Sequence, residues 1–497
     1  MPDSARLLHA DLSIKSDPPL AEGMNCLRTP TLWQGAQSLP VINGKIPNDL
    51  DGRLYRVGPG RFEKDGQTFA HWFDGEGLVL SIDFKNGQAE ARAAFVDDPY
   101  PHDLPPAIDD RGRFGIAPAS LWKRLQSIWT ADSYINPANT ALLYWGSRLF
   151  GLFEGGLPTE LDPHDLSTRG KTDLGAVRRA FCAHPKYHAR TDSWFNQGFR
   201  TAPRPMMDYT RMKPDGIAER FASVAYDGAL FTHDFAVTDT HIISICSPMF
   251  ADAAAVIFGA KPLSEVLSWY PERGTEFIVV PIDNPRAVQR IKGPPLFYSH
   301  TANAYDRDGC LVIQGIAAPD CSNMHWVNAV KRGARDLPRG SVGVLIEIIL
   351  NRATGEINVE TVLDRCVEFP QINPRCAGTT HNHIYLNGFR DEAVAYEDFF
   401  DTVIKRSRDG TVISHVVEGG HYVSEPIFAP CSLNSADADE DDGYLLTVNY
   451  NASADRSYLD ILTAKDLAPV AQCAFDRALP MSFHGLWIDR QRLPVAS

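Results

Sequence analysis

Long apolar runs are missing from this chain. Nowhere in its 497 residues is there a stretch approaching about 18 consecutive apolar side chains, the least that a membrane-crossing helix needs. The opening segment, MPDSARLLHADLSIKSDPPL, has no long apolar core followed by a small-residue cleavage site. Paired cysteines are missing as well: the nine cysteines, from Cys26 to Cys473, stand singly, none makes a CxxC pair, and their number is odd. That argues against a disulfide framework and a thiolate zinc site, and for free thiols in a reducing, cytoplasmic setting. A basic excess is lacking too. The formal net charge is −14, which does not suit nucleic acid and fits an enzyme that meets a membrane, if at all, through apolar contact. No GxSxG elbow is present, so a serine hydrolase has no local support. Gly170-Lys171-Thr172 looks like the end of a phosphate loop, but Asp165 stands where its earlier glycine is needed.

What the chain does have is many short runs of Val, Ile, Leu, Phe and Tyr cut by Gly, Asp, Asn and Pro. GLVLSIDFKNGQAEARAAFV, TALLYWGSRLFGLFEGG, HIISICSP, TEFIVVPID and GYLLTVNYNASADRSYLDIL are examples. This spacing predicts an all-β protein. One sandwich is too small for 497 residues, and a β-propeller of roughly seven four-stranded blades is the economical solution. With no low-complexity linker or Pro/Gly/Ser hinge, a single domain over 1–497 is expected, with 1–40 as an N-terminal extension. A few helices and loops would cap one face. Leu121, Trp122, Leu125, Ile128 and Trp129 fall at helical spacing in the segment 117–129. Their apolar face reads either as a cap on the scaffold or, with two Trp beside Lys123 and Arg124, as an edge that dips into a membrane surface. A second helix candidate covers 249–260.

Four histidines share one local grammar, an imidazole on or beside a strand-like run with apolar or small neighbours. They are His184 in AHP, His233 in LFTHDFAVTDT, His300 in YSHTANAYD and His484 in MSFHGLW. The inner strands of a propeller converge on its axis, so histidines far apart in sequence can meet there. Spacing alone is a weak signal, because a lone strand histidine is more often a packed or surface residue. If the four do meet, an all-imidazole donor set suits Fe, Zn or Cu. Neutral ligands call for carboxylates behind them, accepting the far ring N–H. Glu154 in LFEGGLP, Glu368 in CVEFPQI and Glu425 in VSEPIF occupy apolar or Pro-bounded settings where a charge is rarely placed unless paired. Other candidates are set aside. His381 and His383 would share one strand face but read as surface or packing residues, His71 reads as structural, and His188 is a decoy close to His184. The acidic run 437–442 carries Asp442 where a calcium loop needs glycine.

The segments GKIPNDLDGRLYRVGPG, HWFDGEG, FTHDF, HTANAYD, VEFPQINP, SEPIF, EDDGYLL and FHG together resemble the carotenoid cleavage oxygenases, over about 44–487. The resemblance implies a seven-bladed propeller with one non-haem Fe(II) per chain on its axis. It carries over His184, His233, His300 and His484 as ligands and Glu154, Glu368 and Glu425 behind them. The implied pairs are Glu154 with His233, Glu368 with His300 and Glu425 with His484, leaving His184 without a carboxylate. Thr140 falls where the family places a threonine whose methyl crowds an iron position. The implied activity is oxidative cleavage of a C=C bond of an apolar apocarotenoid or carotenoid polyene by O2, giving aldehydes such as retinal. Phe62, Trp145, Phe153, Trp269 and Tyr270 are candidate walls for that substrate. Cleavage of a stilbenoid or phenylpropenoid is the alternative, but Phe153 stands where stilbene-cleaving relatives carry a lysine.

Overall fold

Burial falls from the middle of the molecule to its rim, and the sequence of each strand follows it. His241–Cys246 (HIISIC) is buried on both faces, whereas the rim strands Val412–Val416 and Gln289–Gly293 alternate or face outward. A continuous apolar run thus marks a strand packed between neighbouring sheets, and alternation marks one with a wet face. The computed structural model describes residues 25–64, 67–69, 71–97, 111–129, 134–228, 232–322, 324, 341, 343–392, 399–431 and 438–494.

Seven antiparallel sheets form the blades of a β-propeller, as the sequence predicts. Their innermost strands, in ring order, are His484–Asp489, Ala141–Trp145, Lys186–His188, Phe235–Val237, Phe297–Arg307, Val367–Gln371 and Ile427–Pro430. The first blade joins the two ends of the chain. Its inner strand, His484–Asp489, pairs antiparallel with Gly52–Arg61 in a register that sets Val57 opposite His484. The seventh blade is joined in the same way, with Val41–Gly44 laid along Pro469–Ala474. Each of these two blades is thus built from strands at opposite ends of the sequence, which ties the ring shut. Upstream of that closure Cys26 and Leu27 are fully buried, so described residues before position 40 already belong to the packed body.

Between blades the core is aliphatic. Ile243, Ile245, Phe277 and Val279 of the fourth blade pack on Leu311, Ile313, Ile346 and Ile348 of the fifth. Each such side chain contributes about 1.5–3 kcal/mol relative to exposure. Helices are short. The segment expected to be helical over 117–129 forms α1 only at Leu121–Gln126, because Ser120 caps it by accepting the Lys123 N–H. No residue of α1 is buried, so its apolar face does not cap the core. The second helix candidate begins as a strand, Met249–Ala251, paired with Leu267–Trp269. Only Ala253–Ile257, α2, is helical, with Asp252 as its N-cap.

The third blade positions its part of the hub through a close backbone approach. The carbonyl of Ala180 lies over Gly198, and a Cβ there would stand 1.8 Å from that oxygen. The Cys182 N–H is bonded to Gln197 O at 2.8 Å, so the segment leading to His184 rests on the strand Ser193–Arg200. Gly198→Ala is expected to cost about 1–3 kcal/mol, read as a fall in the thermal unfolding midpoint against wild type.

Candidate metal centre

Each of the four histidines comes from a different blade. His184 precedes the inner strand of the third blade by two residues, and His233 precedes that of the fourth by two. His300 lies in the inner strand of the fifth, where pairing shifts between Tyr298 and Thr301. His484 opens the inner strand of the first. A strand end or a bulge leaves a side chain free of the pleat's alternation, so it can be aimed along the axis.

The four rings meet. One nitrogen from each lies within 4.8 Å of the corresponding nitrogen of every other. The His184 and His233 Nε2 atoms are 3.1 Å apart, and those of His233 and His300 are 3.0 Å apart. Ring centroids stand 4.6–5.1 Å apart, with interplanar angles of 71–90°. Behind three of them stands a carboxylate on Nδ1. Glu368 is 2.6 Å from His300 and Glu425 is 2.9 Å from His484, and Glu154 Oε1 is 2.6 Å from His233. Among the described residues no carboxylate contacts the His184 ring.

That arrangement fixes the tautomers. An Nδ1 facing a carboxylate carries the proton, which leaves Nε2 as a bare lone pair. Bare nitrogens 3.0 Å apart repel one another unless a cation lies between them. Nitrogens each about 2.1 Å from one ion and at right angles to one another stand about 3.0 Å apart. The donor set therefore fits a divalent transition metal, and its lack of thiolates and bound carboxylates suits Fe, Zn or Cu.

The three carboxylates are held as anions. Enclosure works against the charge of Glu368, yet His300, the Ser299 hydroxyl and the Phe369 N–H together hold its carboxyl down to about 2. Glu154 and Glu425 are likewise pulled below the usual range against the effect of burial, by His233 and His484 respectively. Burial and the three neighbouring imidazoles push His184 well below its ordinary value, so it is neutral and free to ligate. Glu425 also accepts from the Gly485 N–H at 2.7 Å and from Gln371 at 2.8 Å.

The family described as retinal pigment epithelial membrane protein matches residues 29–489. The chain belongs to this family, that of the carotenoid cleavage oxygenases. The apocarotenoid-15,15'-oxygenase of Synechocystis sp. is 28% identical over 496 residues, covering 95% of this chain and 99% of the relative. The carotenoid 9,10(9',10')-cleavage dioxygenase 1 of Arabidopsis thaliana is 25% identical over 486 residues, covering 92% and 87%. Cobalt-substituted Synechocystis apocarotenoid oxygenase superposes with a TM-score of 0.81 at 25% identity, covering 94% of this chain and 98% of that one. The enzyme class expected from the sequence, an oxidoreductase of the dioxygenase type, is the class of these relatives.

Other expected residues of this carotenoid-oxygenase fold take various places. Thr140 is buried, and its hydroxyl lies 3.2 Å from Asn139 Oδ1 and 3.5 Å from Glu154 Oε2. Phe62 packs with Trp72, Phe399 and Met481. Trp145 is a core residue beside Phe150 and Phe181, and its indole N–H donates to Lys213 O. Phe153 lies against Gly155. Trp269 and Tyr270 make edge contacts with Phe297 and Phe250. His188 bonds to Thr191 and Asp239 O, and His381 to Asn303, which leaves both outside the cluster.

Sequence reasoning passed over two residues here. Phe369 stacks on His300 at 5.6 Å and meets His484 edge-on at 5.2 Å. Its φ of 55° is a strained conformation for a bulky side chain. Its local sequence gives no signal of this, because a residue before a proline is expected to be extended rather than left-handed. Arg56 is fully buried and donates to Ser482 Oγ at 2.7 Å, Glu425 O at 2.7 Å and Phe483 O at 3.4 Å. A lone arginine in the apolar run LYRVG was its signal. Glu368→Gln, which keeps the shape but loses the charge facing His300, is expected to weaken divalent-metal affinity about 10- to 100-fold, measured by chelator competition.

Proposed function

We propose that this chain is a non-haem Fe(II) dioxygenase that cleaves a C=C bond of an apocarotenoid or carotenoid polyene into aldehydes such as retinal. One iron per chain would be held by His184, His233, His300 and His484. The observation that carries the reading is the convergence of four imidazole nitrogens, three of them oriented by carboxylates, in a carotenoid cleavage oxygenase. The named activities of the Synechocystis and Arabidopsis relatives support it. Bound there, ferrous iron would supply dioxygen binding and activation, chemistry that zinc lacks.

The residues do the rest. In overall balance one C=C bond and one O2 give two C=O groups, and no proton changes hands. The hub matches that demand: Glu368 and Glu425 accept ring N–H groups and Glu154 lies 2.6 Å from the His233 Nδ1, so each carboxylate faces an imidazole rather than standing as a free acid or base. The two half-open carboxylates, Glu154 and Glu368, keep 24% and 23% side-chain exposure, while Glu425 keeps 2%. That difference puts the open side of the centre toward His233 and His300, beside Phe369. An aromatic face there holds an apolar chain by dispersion and favours positive charge developing along it. Against a phenol-bearing stilbene stand Phe153, which carries no charge, and Lys186, which is bound to Asp234 at 2.8 Å.

We infer also that the enzyme meets a membrane peripherally through α1 and α2, which lie side by side. Trp122, Trp129 and Phe258 are 73%, 65% and 76% exposed, with Leu121 beside them. Large apolar side chains this open, flanked by Lys123 and Arg124, fit the interfacial zone of a bilayer. Among the described residues no helix is long and apolar enough to cross one. The nine free thiols fit the cytoplasmic side.

Two experiments test these readings. Anaerobically purified protein is expected to contain about one iron per chain. With a panel of apocarotenals and stilbenes it should consume O2 only with the polyenes, and the product masses would locate the bond. Failure to take up oxygen with any polyene sinks the assignment. Trp122→Ser with Trp129→Ser is expected to lower liposome flotation without changing turnover of detergent-solubilised substrate. Unaltered flotation would dismiss the membrane face.

A further inference from the structure

We propose that Asp234 is a positioning residue that sets the spacing of His184, His233 and His300 by tying three blades together through one carboxylate. The inference rests on the reading of those histidines as metal ligands.

The need for such a tie follows from the fold. Each blade is a separate hydrogen-bonded sheet, so the inner strands of the third, fourth and fifth blades share no ladder. What holds one blade against the next is apolar packing, which is strong but non-directional. A metal site demands more than this, because its donors must be placed to within a fraction of an ångström.

Asp234 supplies directional bonds at the required place. It follows His233 directly and is 1% exposed. Its Oδ1 accepts the Phe235 N–H at 2.7 Å, within its own blade. Its Oδ2 accepts the Thr301 N–H at 2.7 Å, from the residue after His300 in the fifth blade. The Lys186 ammonium, two residues after His184 in the third blade, lies 2.8 Å from Oδ1 and 2.9 Å from Oδ2. One carboxylate thus touches the strand of each of three histidines, at one or two residues from the imidazole.

Local structure is arranged to allow it. The ladder of the strand Phe297–Arg307 shifts register between Tyr298 and Thr301 and again between Thr301 and Asn303. At this double irregularity the Thr301 N–H bonds across to the next blade. The Thr301 hydroxyl donates to Phe235 O at 3.2 Å, and the Cys182 thiol donates to His233 O at 3.1 Å, so two neutral bonds run alongside the charged ones. A buried carboxylate is tolerated only where its lone pairs are met, and here they are.

The tie matters most for His184. The other three imidazoles are each steadied by a glutamate on Nδ1, and His184 is not. The salt bridge from Lys186 to Asp234 is the nearest charged anchor its strand has to the centre. The glutamates aim individual rings, and Asp234 holds the strands that carry them.

Lys186→Met and Asp234→Asn test this in the full-length protein. Lys186 is 23% exposed, so water can partly take its place beside Asp234 and its replacement is the milder of the two changes. For Lys186→Met we expect Co2+ affinity to fall about 10-fold by chelator competition. The visible absorption of the Co2+-loaded protein should also change as one imidazole is loosened, and X-ray absorption should count fewer than four imidazoles. The melting temperature of the metal-free protein should stay within about 2 °C of wild type. Unaltered affinity and spectrum in both variants would overturn the proposal. A lowered metal-free melting temperature with an unaltered Co2+ spectrum would also overturn it, making Asp234 a residue of general stability. Wild-type protein that binds no divalent ion would instead overturn the reading of the metal site itself.

Discussion

An imidazole can offer a lone pair to a metal from one nitrogen only while its proton sits on the other, and the hub of this propeller is organised around that constraint. Carboxylates on the Nδ1 atoms of His233, His300 and His484 keep the protons there and turn the Nε2 atoms inward. The charge on each glutamate is what holds the tautomer. A glutamine amide could donate as readily as accept and would leave it undetermined. The geometry also shares the work around the whole ring. The first, third, fourth and fifth blades each give one histidine, and the second, sixth and seventh each give one glutamate, so no blade is mere spacer.

Charge explains a second feature. Three ionised carboxylates around one divalent ion leave an excess of one negative charge in a poorly hydrated space. Arg56 lies fully buried against the backbone of Glu425 and Phe483, on either side of the pair that includes His484. Burial lowers its pKa to about 10, with Glu425 opposing that shift, and it stays protonated at neutral pH. With a divalent metal bound, its cation would bring the sum of three glutamates, one arginine and that ion to neutrality. A guanidinium bonded only to carbonyls and a hydroxyl would otherwise be a costly thing to bury.

The parts legible in the sequence were those with a local signature. Strand runs broken by turn residues marked the propeller, and the short motifs around the histidines and glutamates marked the residues that meet at its axis. What escaped was set by contact between distant strands. Asp234 looked like part of an ordinary FTHDF motif, and nothing in the sequence says that Lys186 and the Thr301 N–H would reach it. Phe369 was hidden because its importance lies in a backbone angle. Helix α1 came out shorter than its apolar periodicity suggested, because the Ser120 cap fixes its start and the chain turns after Gln126. Trp122 and Trp129 carry helical spacing but are both exposed, and spacing alone cannot tell a core-facing stripe from an exposed one.

The order in which the chain can complete the centre follows from its topology. His184, His233 and His300 belong to consecutive blades and are linked through Asp234, so their relative positions depend on contacts within about 120 residues. His484 does not share that independence. It is held by pairing with Val57 at the far end of the sequence, and Arg56 reaches the backbone of Glu425 and Phe483 on either side of it only when that pairing exists. Three of the histidines can therefore gather in an open arc of blades, while the fourth arrives with ring closure. A metal bound by all four favours the closed ring over the open arc by the affinity the fourth ligand adds. The iron reading thus gives the ion a structural task beside its chemical one, as a clasp across the seam where the first and last parts of the chain meet.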